Sequence, residues 1–417
     1  MSKKKHLIIG CGPAAISAID TMRALDQENE IRVVSKEDNL PYSPAALPYV
    51  LAGRTGEDGL FPRGKSYFES RGVTFVPGKE AVRIVPEKKK VIYKDGDTEE
   101  YDSLLVACGA EPASQGLDGE TELLKFHSLG NLRRLISELK ASVDATILGA
   151  GMVAVELAVA LTERGCKARL LGRGRPLRAY FDEGPGAFIR EILTERGIDI
   201  QTGRIISQVK RNGQRFEIHC ADGKVFETGM VVSCLGVTPR LGLIEGSGIS
   251  ANRGILCDRK MRTNLDNVYA AGDVVEAPSF RNGDTGVCAI LPEAIAQGKV
   301  AGSNMVGKEL DYEGWVPVNL LKFFGQAALS AGAVETGMPD AEVLEKKDSG
   351  PRRFERLVFS DGRLIGGMFV NVEIDPGVML YLIKKRVTIG QHKRALLEEP
   401  AEVSRWLVLN SEKGSPS

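Results

Sequence analysis

The stretch His6-Leu-Ile-Ile-Gly10-Cys-Gly-Pro-Ala-Ala15 decides how this sequence is read. A short apolar run enters a turn of the form G-x-G-x-x-A, and an apolar-periodic segment from Ile16 to about Leu25 follows. The order is strand, turn, helix. Gly10 permits the tight turn, Gly12 lets a pyrophosphate reach the backbone, and the small Ala15 lets helix and strand pack closely. Phosphates then rest on the helix N-terminus, where unpaired N–H groups and the dipole favour an anion. A second strand, Ile31-Arg-Val-Val34, follows at the expected distance. The acid that usually ends it is replaced by Ser35, and Glu37, two residues on, is the candidate for the ribose hydroxyls.

The unit recurs. Asp144-Ala-Thr-Ile-Leu148 reads as a strand, Gly149-Ala-Gly151-Met-Val-Ala154 as the turn, and the helix after it carries Glu156; the next strand is Ala168-Arg-Leu-Leu171. A second repeat lies downstream of each unit. Glu100, Gly109 and Pro112 match Glu227, Gly236 and Pro239 at a constant offset of 127 residues. Alternating strands with turn signals precede each copy, at Asp95-Gly96, Asn212-Gly213 and Asp222-Gly223. Each half therefore reads as a nucleotide-binding unit, a small β-meander and a strand ending in a glycine loop.

Composition narrows the function. At 417 residues the expectation is two or three domains. Lys+Arg and Asp+Glu both number 55, a balance that disfavours a dedicated nucleic-acid binder. No apolar run approaches the ~20 residues that span a bilayer. The N-terminal lysines and Leu7–Ile9 form too short an apolar run for a signal peptide and read as the first strand. Seven cysteines are scattered with no Cys-x-x-Cys, and four histidines form no tight pair, so no metal or dithiol motif is written here. Unpaired cysteines of this kind imply a reducing, cytoplasmic compartment. The 47 glycines, about 11% against an average near 7%, gather at the turns just described.

This architecture resembles the FAD- and NAD(P)-dependent pyridine nucleotide–disulfide oxidoreductase family. The longest match is Thr263-Asn-Leu-Asp-Asn-Val-Tyr-Ala-Ala-Gly272-Asp273-Val274, similar to the family segment that closes the FAD site, where the Asp accepts hydrogen bonds from the flavin ribityl chain. The resemblance implies an α/β fold with two Rossmann-like dinucleotide-binding domains of the three-layer ββα type and a C-terminal α+β domain of the dimerisation kind. The expected boundaries are residues 1–115 and 247–312 for FAD, 116–246 for NAD(P), and 313–417 for the last domain. It implies FAD contacts at Gly10, Gly12, Pro13, Ala14, Ala15, Glu37, Ala107, Cys108, Gly109, Gly272 and Asp273. Cys108 replaces the usual Thr as a small buried residue. Val82 resembles the position whose backbone meets the adenine. Leu291 and Pro292 resemble a helix start facing the flavin's pyrimidine end, where the dipole stabilises negative charge. The nicotinamide nucleotide falls to Gly149, Gly151, Ala154 and Gly236, with Glu156 as the acid beside the nicotinamide–flavin stack. The acid that usually selects NAD is replaced by Gly172, followed by Arg173 and Arg175, which suit a 2′-phosphate. The family resemblance points instead to NAD, and both remain open from sequence.

Leu40-Pro-Tyr-Ser-Pro-Ala-Ala-Leu-Pro-Tyr-Val-Leu-Ala-Gly53 bears on mechanism. Coenzyme A disulfide reductases and NADH oxidases of this family carry their active cysteine where this chain has Ala45. Ferredoxin, rubredoxin and nitrite reductases carry an arginine where it has Pro44. Without a nucleophilic sulfur, thiol or peroxide reduction has no agent. What remains is hydride transfer between nicotinamide and flavin and electron exchange with a docked iron–sulfur partner. Pro41-Tyr-Ser-Pro44 with Leu47-Pro-Tyr49 is similar to the flavoprotein subunits of NADH-dependent phenylglyoxylate dehydrogenase-type complexes, which implies a homo-oligomer or a multi-subunit assembly. The alternatives are a coenzyme A disulfide or NADH oxidase-like reductase and a non-catalytic flavoprotein subunit.

From Trp315 the pattern changes. Val318–Phe324, Ala327–Ser330, Phe354–Phe359 and Leu364–Val370 read as strands, and Pro376 starts a helix to about Val387. Lys384–Arg386 with His392, Lys393 and Arg394 form a basic run suited to an acidic partner or to a helix C-terminus. The tail Glu412–Ser417 reads as disordered.

Overall fold

The computed structural model describes residues 3–139, 144–334 and 340–413. Contacts divide the chain into two units. One comprises residues 1–50, 55–111 and 237–315, the other residues 51–54, 112–236 and 316–417.

The first unit is built on a five-stranded parallel sheet ordered Val268–Ala270, Ser103–Val106, Lys5–Ile9, Glu30–Val34, Val73–Val76. Its central strands are apolar on both faces (Leu7, Ile8, Leu104, Leu105 and Val33 are at most 2% exposed), as a sheet covered on both sides requires. The antiparallel meander Ala81–Val85, Lys90–Tyr93, Thr98–Glu100 belongs to this unit. Helices Pro13–Leu25 and Leu291–Met305 pack on each other almost backbone to backbone. A Cβ on Gly298 would lie 2.1 Å from the Ala14 carbonyl oxygen, and one on Gly302 would lie 2.6 Å from that of Ala18. Small residues at i and i+4 on both helices make that approach possible.

The second unit repeats the plan. Its parallel sheet runs Asp199–Gln201, Lys167–Leu171, Asp144–Leu148, Met230–Ser233, Leu124–Lys125, and its meander is Ile206–Asn212, Arg215–Cys220, Val225–Thr228. Helix Met152–Glu163 follows the first strand of the repeat. The same unit holds a five-stranded antiparallel sheet ordered Val318–Phe323, Gln326–Gly332, Arg363–Val370, Arg353–Ser360, Glu342–Asp348. The fold is thus α/β with Rossmann-like parallel sheets and a C-terminal antiparallel sheet.

Differences from the sequence reading have local causes. Helix Pro13–Leu25 begins three residues before Ile16, because Pro13 occupies the first turn, where its missing N–H costs nothing. Strand Glu342–Asp348 (Glu-Val-Leu-Glu-Lys-Lys-Asp) escapes the pattern because it is a solvent-washed edge, where charge replaces alternation. Asp375 caps helix Pro376–Lys384 by accepting from the Gly377 and Val378 amides, and that helix stops short of Val387, with Arg386 at a left-handed φ of 49°. Helices Lys393–Glu398 and Pro400–Lys413 follow. Of the expected disordered tail, residues 414–417 lie outside the described residues. No helix among the described residues is long and apolar enough to cross a membrane.

Candidate active site

The two glycine turns have the same geometry. Gly10 and Gly149 sit at φ 100° and 132°, a region that favours glycine. A Cβ on Gly10 would come within 2.2 Å of the Ala107 carbonyl oxygen, and one on Gly149 within 2.3 Å of that of Cys234. Ala107 and Cys234 are themselves related by the 127-residue offset. Gly12 and Gly151 are different. Both have extended backbone (φ −83°, ψ −172° and φ −80°, ψ −174°), and a Cβ on either would meet nothing within 4 Å. No neighbour in the chain requires glycine there; what a side chain would fill is the space over the helix N-terminus.

Both helix starts are bare. Neither Pro13–Leu25 nor Met152–Glu163 has a side-chain cap or an acidic residue in its first turn, so the chain leaves the leading N–H groups to an external acceptor. Pro13 and Ala14 form that turn in the first unit, and Ala15 and Ala154 are each 0% exposed against their sheets.

The structure brings Gly272 to this turn and places the other first-unit candidates as follows. Gly272 (φ 86°) lies beside Ala14, with a would-be Cβ 3.2 Å from the Ala14 Cβ and 3.8 Å from that of Ala294. Asp273 is half-buried and finds no hydrogen-bond partner among the described residues; burial holds its carboxyl above the usual range. It is an acceptor waiting for donors, as a polyol chain would supply. Gly109 (φ 70°) also opens onto free space. The Cys108 thiol donates to the Arg240 carbonyl at 3.6 Å and is pushed up to about 11 by burial, as a small packed residue. Val82 falls at a β-bulge between the pairs Ala81–Tyr93 and Arg83–Ile92, which takes its backbone off the ladder, and it is 42% exposed. Leu291 (40% exposed) and Pro292 form the first turn of helix Leu291–Met305.

Residues 4–298 match the family described as pyridine nucleotide-disulphide oxidoreductase, and residues 317–372 match the rubredoxin NAD+ reductase C-terminal domain. The chain belongs to the pyridine nucleotide-disulphide oxidoreductase family. It is 32% identical over 411 residues to the NADH-dependent phenylglyoxylate dehydrogenase subunit epsilon of Aromatoleum evansii, covering 97% of each chain. It is 28% identical over 340 residues to the NADH-rubredoxin oxidoreductase of Clostridium acetobutylicum, covering 81% of this chain and 84% of that one. Putidaredoxin reductase, solved in covalent complex with putidaredoxin, shares the fold with a TM-score of 0.87 at 19% identity over 99% of this chain and 100% of that one. As a member of this oxidoreductase family the protein is an enzyme that uses FAD and NAD(P)H, and the open glycine turns, the bare helix starts and Asp273 fit those groups.

Three findings in this flavin- and nicotinamide-dependent enzyme go beyond the sequence. Glu37 is held by Tyr42, whose hydroxyl donates to its Oε2 at 3.0 Å. Tyr42 lies within the Pro41-Tyr-Ser-Pro44 stretch, but its pairing with Glu37 was not readable from that motif. Glu156 is half-buried, pairs with no group among the described residues, and is pushed up to about 7 by burial. The arginines divide. Arg175 is consumed within its own unit by Glu183 (3.0 Å) and the Phe181 carbonyl (2.6 Å), whereas Arg173 is exposed and has no partner among the described residues. Gly172 is buried against Ala150, 3.4 Å from a would-be Cβ, so no acid stands at the end of that strand. Gly236 (φ 103°) opens onto free space.

The thiol-branch position is an exposed Ala45 in the single turn Pro44–Ala46. The Cys11 and Cys234 thiols are pushed up to about 12 by burial, far from the thiolate range. In the basic C-terminal run, Lys393 pairs with Glu342 and His392 packs on Trp406 with ring centroids 4.7 Å apart, so part of that charge is spent within the chain.

Proposed function

We propose that this enzyme links NAD(P)H to a one-electron iron–sulfur partner, as the nicotinamide-dependent subunit of a 2-oxoacid dehydrogenase complex of the phenylglyoxylate type. The observation that carries the reading is Ala45: the position that bears the cysteine in thiol-reducing branches has no sulfur, and Cys11, Cys108 and Cys234 are half-buried thiols whose titration is pushed upward by desolvation. The match to a rubredoxin NAD+ reductase C-terminal domain and the full-length similarity to an epsilon subunit support the same direction.

In this reading residues 1–115 and 247–312 form the FAD-binding domain, 116–246 the NAD(P)-binding domain and 313–417 an interface domain of an oligomer or complex. FAD, when bound, supplies two-electron exchange with the nicotinamide and one-electron exchange with the partner. The chain supplies binding and orientation. Gly10, Gly12, Pro13, Ala14 and Ala15 cradle the pyrophosphate, Glu37 with Tyr42 takes the adenosine ribose, and Val82 meets the adenine. Ala107, Cys108 and Gly109, whose strand end abuts the Gly10 turn, complete the FAD contacts, Gly272 and Asp273 hold the ribityl chain, and Leu291 and Pro292 present the helix start. Gly149, Gly151, Ala154 and Gly236 receive the nicotinamide nucleotide, Glu156 stands at its reactive end, and Arg173 is the group offered to a 2′-phosphate.

An anaerobic NADH titration followed by mixing with a reduced-potential panel (ferredoxin, rubredoxin, coenzyme A disulfide, peroxide) tests this. The expected result is a bleached flavin with no long-wavelength thiolate–flavin absorbance and rapid reoxidation by the iron–sulfur proteins alone. A charge-transfer band with disulfide or peroxide turnover favours a thiol reductase. Flavin left oxidised by excess NADH and NADPH favours a non-catalytic subunit.

A further inference from the structure

A buried chain of hydrogen bonds ends on the Gly272–Asp273 loop. The Gly272 amide donates to Gln297 Oε1 at 2.8 Å, Gln297 Nε2 lies 3.5 Å from Tyr312 Oη, and the Tyr312 hydroxyl bonds Glu293 Oε2. Glu293, Gln297 and Tyr312 are 1%, 3% and 2% exposed. The direction of the chain is set at its first link. A backbone N–H only donates, so Gln297 must turn its oxygen to Gly272 and its NH2 to Tyr312; the tyrosine hydroxyl, accepting from Gln297, then donates its hydrogen bond to Glu293. Glu293 accepts from Tyr312 in the first turn of helix Leu291–Met305, where negative charge is favoured. Tyr312 is fixed from behind: its amide donates to the Arg259 carbonyl at 2.6 Å, and Arg259 Nη1 donates to the Tyr312 carbonyl at 3.1 Å.

We propose that Tyr312 is a positioning residue of the flavin site. Through Gln297 it holds the Gly272 amide, and so the loop that presents Asp273. Through Glu293 it fixes one carboxylate at the helix start that faces the flavin, a fixed charge that opposes negative charge on the reduced cofactor. A buried network with every link made rigidifies what it touches, and a broken one leaves costly unpaired groups. The inference rests on the assignment of FAD to the first unit.

The test uses purified holoenzyme. Tyr312→Phe keeps the ring and breaks the chain at its middle; Glu293→Gln keeps an oxygen that accepts from Tyr312 and removes the charge. In Tyr312→Phe, FAD release is expected to accelerate at least tenfold. In Glu293→Gln, FAD release stays at the wild-type rate, while the flavin reduction equilibrium shifts toward the reduced form by about tenfold, about 30 mV for a two-electron couple. That potential shift stands as the test by itself where Tyr312→Phe does not fold. Wild-type FAD release in Tyr312→Phe together with a wild-type potential in Glu293→Gln overturns the proposal. Asp273→Ala separates the two readings: FAD retained in full by that variant overturns the site assignment itself, whereas FAD lost there with both relay variants behaving as wild type overturns the relay alone.

Discussion

Gly10 and Ala107 are in backbone contact across the first turn: a single Cβ on Gly10 would press to 2.2 Å from the Ala107 carbonyl oxygen. Two residues on, Gly12 faces open space. The same motif therefore holds one glycine that the fold requires and one that no neighbour in the chain requires, and substitution separates them. Gly10→Ala meets both a clash and a left-handed φ, so it should destabilise the protein by about 1–3 kcal/mol, read as a lowered melting temperature. Gly12→Val should leave the apoprotein melt within about 0.5 kcal/mol of wild type and abolish flavin retention. Equal melting losses in both would contradict the distinction.

Glu156 gives a pH signature. Its folded carboxyl titrates near 7 because of burial, above the ordinary value of 4.5. The protonated form is favoured by folding, so the contribution to stability is complete below about 4.5 and is lost as pH rises through 7. Glu156→Gln should stabilise the protein at pH 8 by roughly 1–3 kcal/mol, a shift of two to three pH units discounted for partial exposure, and the gain should shrink at pH 5.5. Thermal melts at both pH values check it. Reduction of the flavin by NADH should slow in the same variant.

The two arginines after Gly172 are predicted to part company. Arg173→Ala should raise the KM for NADPH about tenfold, the loss expected of one charge-assisted contact, and leave that for NADH unchanged. Arg175→Ala, which breaks the Glu183 pair and the bond to the Phe181 carbonyl, should lower stability by about 1 kcal/mol with no change in the ratio of the two KM values. Steady-state kinetics with both nucleotides distinguishes them.

Arg356 tests the second unit. Its side chain is 7% exposed and bridges Asp182 and Glu345, the latter at 2.6 Å. Its partner carboxylates stay 37% and 41% exposed and can be rehydrated, so Arg356→Ala should cost about 1–2 kcal/mol, mostly through lost packing and hydrogen bonds, while Arg356→Met, which keeps apolar volume, should cost less. FAD content should be unchanged in both, because the bridge lies in the unit without the flavin turn.

Much of the fold was legible because it is written twice. The 127-residue offset joins Gly109 to Gly236 and Ala107 to Cys234, and the two turns close on those carbonyls in the same way. The strand–turn–helix units follow from local sterics and periodicity, which act between near neighbours. So do the hairpin of Arg353–Ser360 with Arg363–Val370 and the proline-led helix at Pro376. The edge strand Glu342–Asp348 was not legible, since solvent on its side chains removes the hydrophobic signal.

By itself, then, the sequence determined the two nucleotide turns, the Asp273 segment, and the missing sulfur at Ala45, all matters of which residue stands at which spacing. Tertiary structure decided which groups are spent and which are left over. Arg175 and Arg173 look alike in the chain, yet one is neutralised by Glu183 and the other is free among the described residues. Asp273 and Glu156 become unsatisfied acids only when packing takes water from them and supplies no donor. Tyr312 has no motif and lies 39 residues beyond Asp273, and only the fold brings it to the same loop. The physical reason is that hydrogen bonding and desolvation depend on distances through space, which spacing along the chain does not encode.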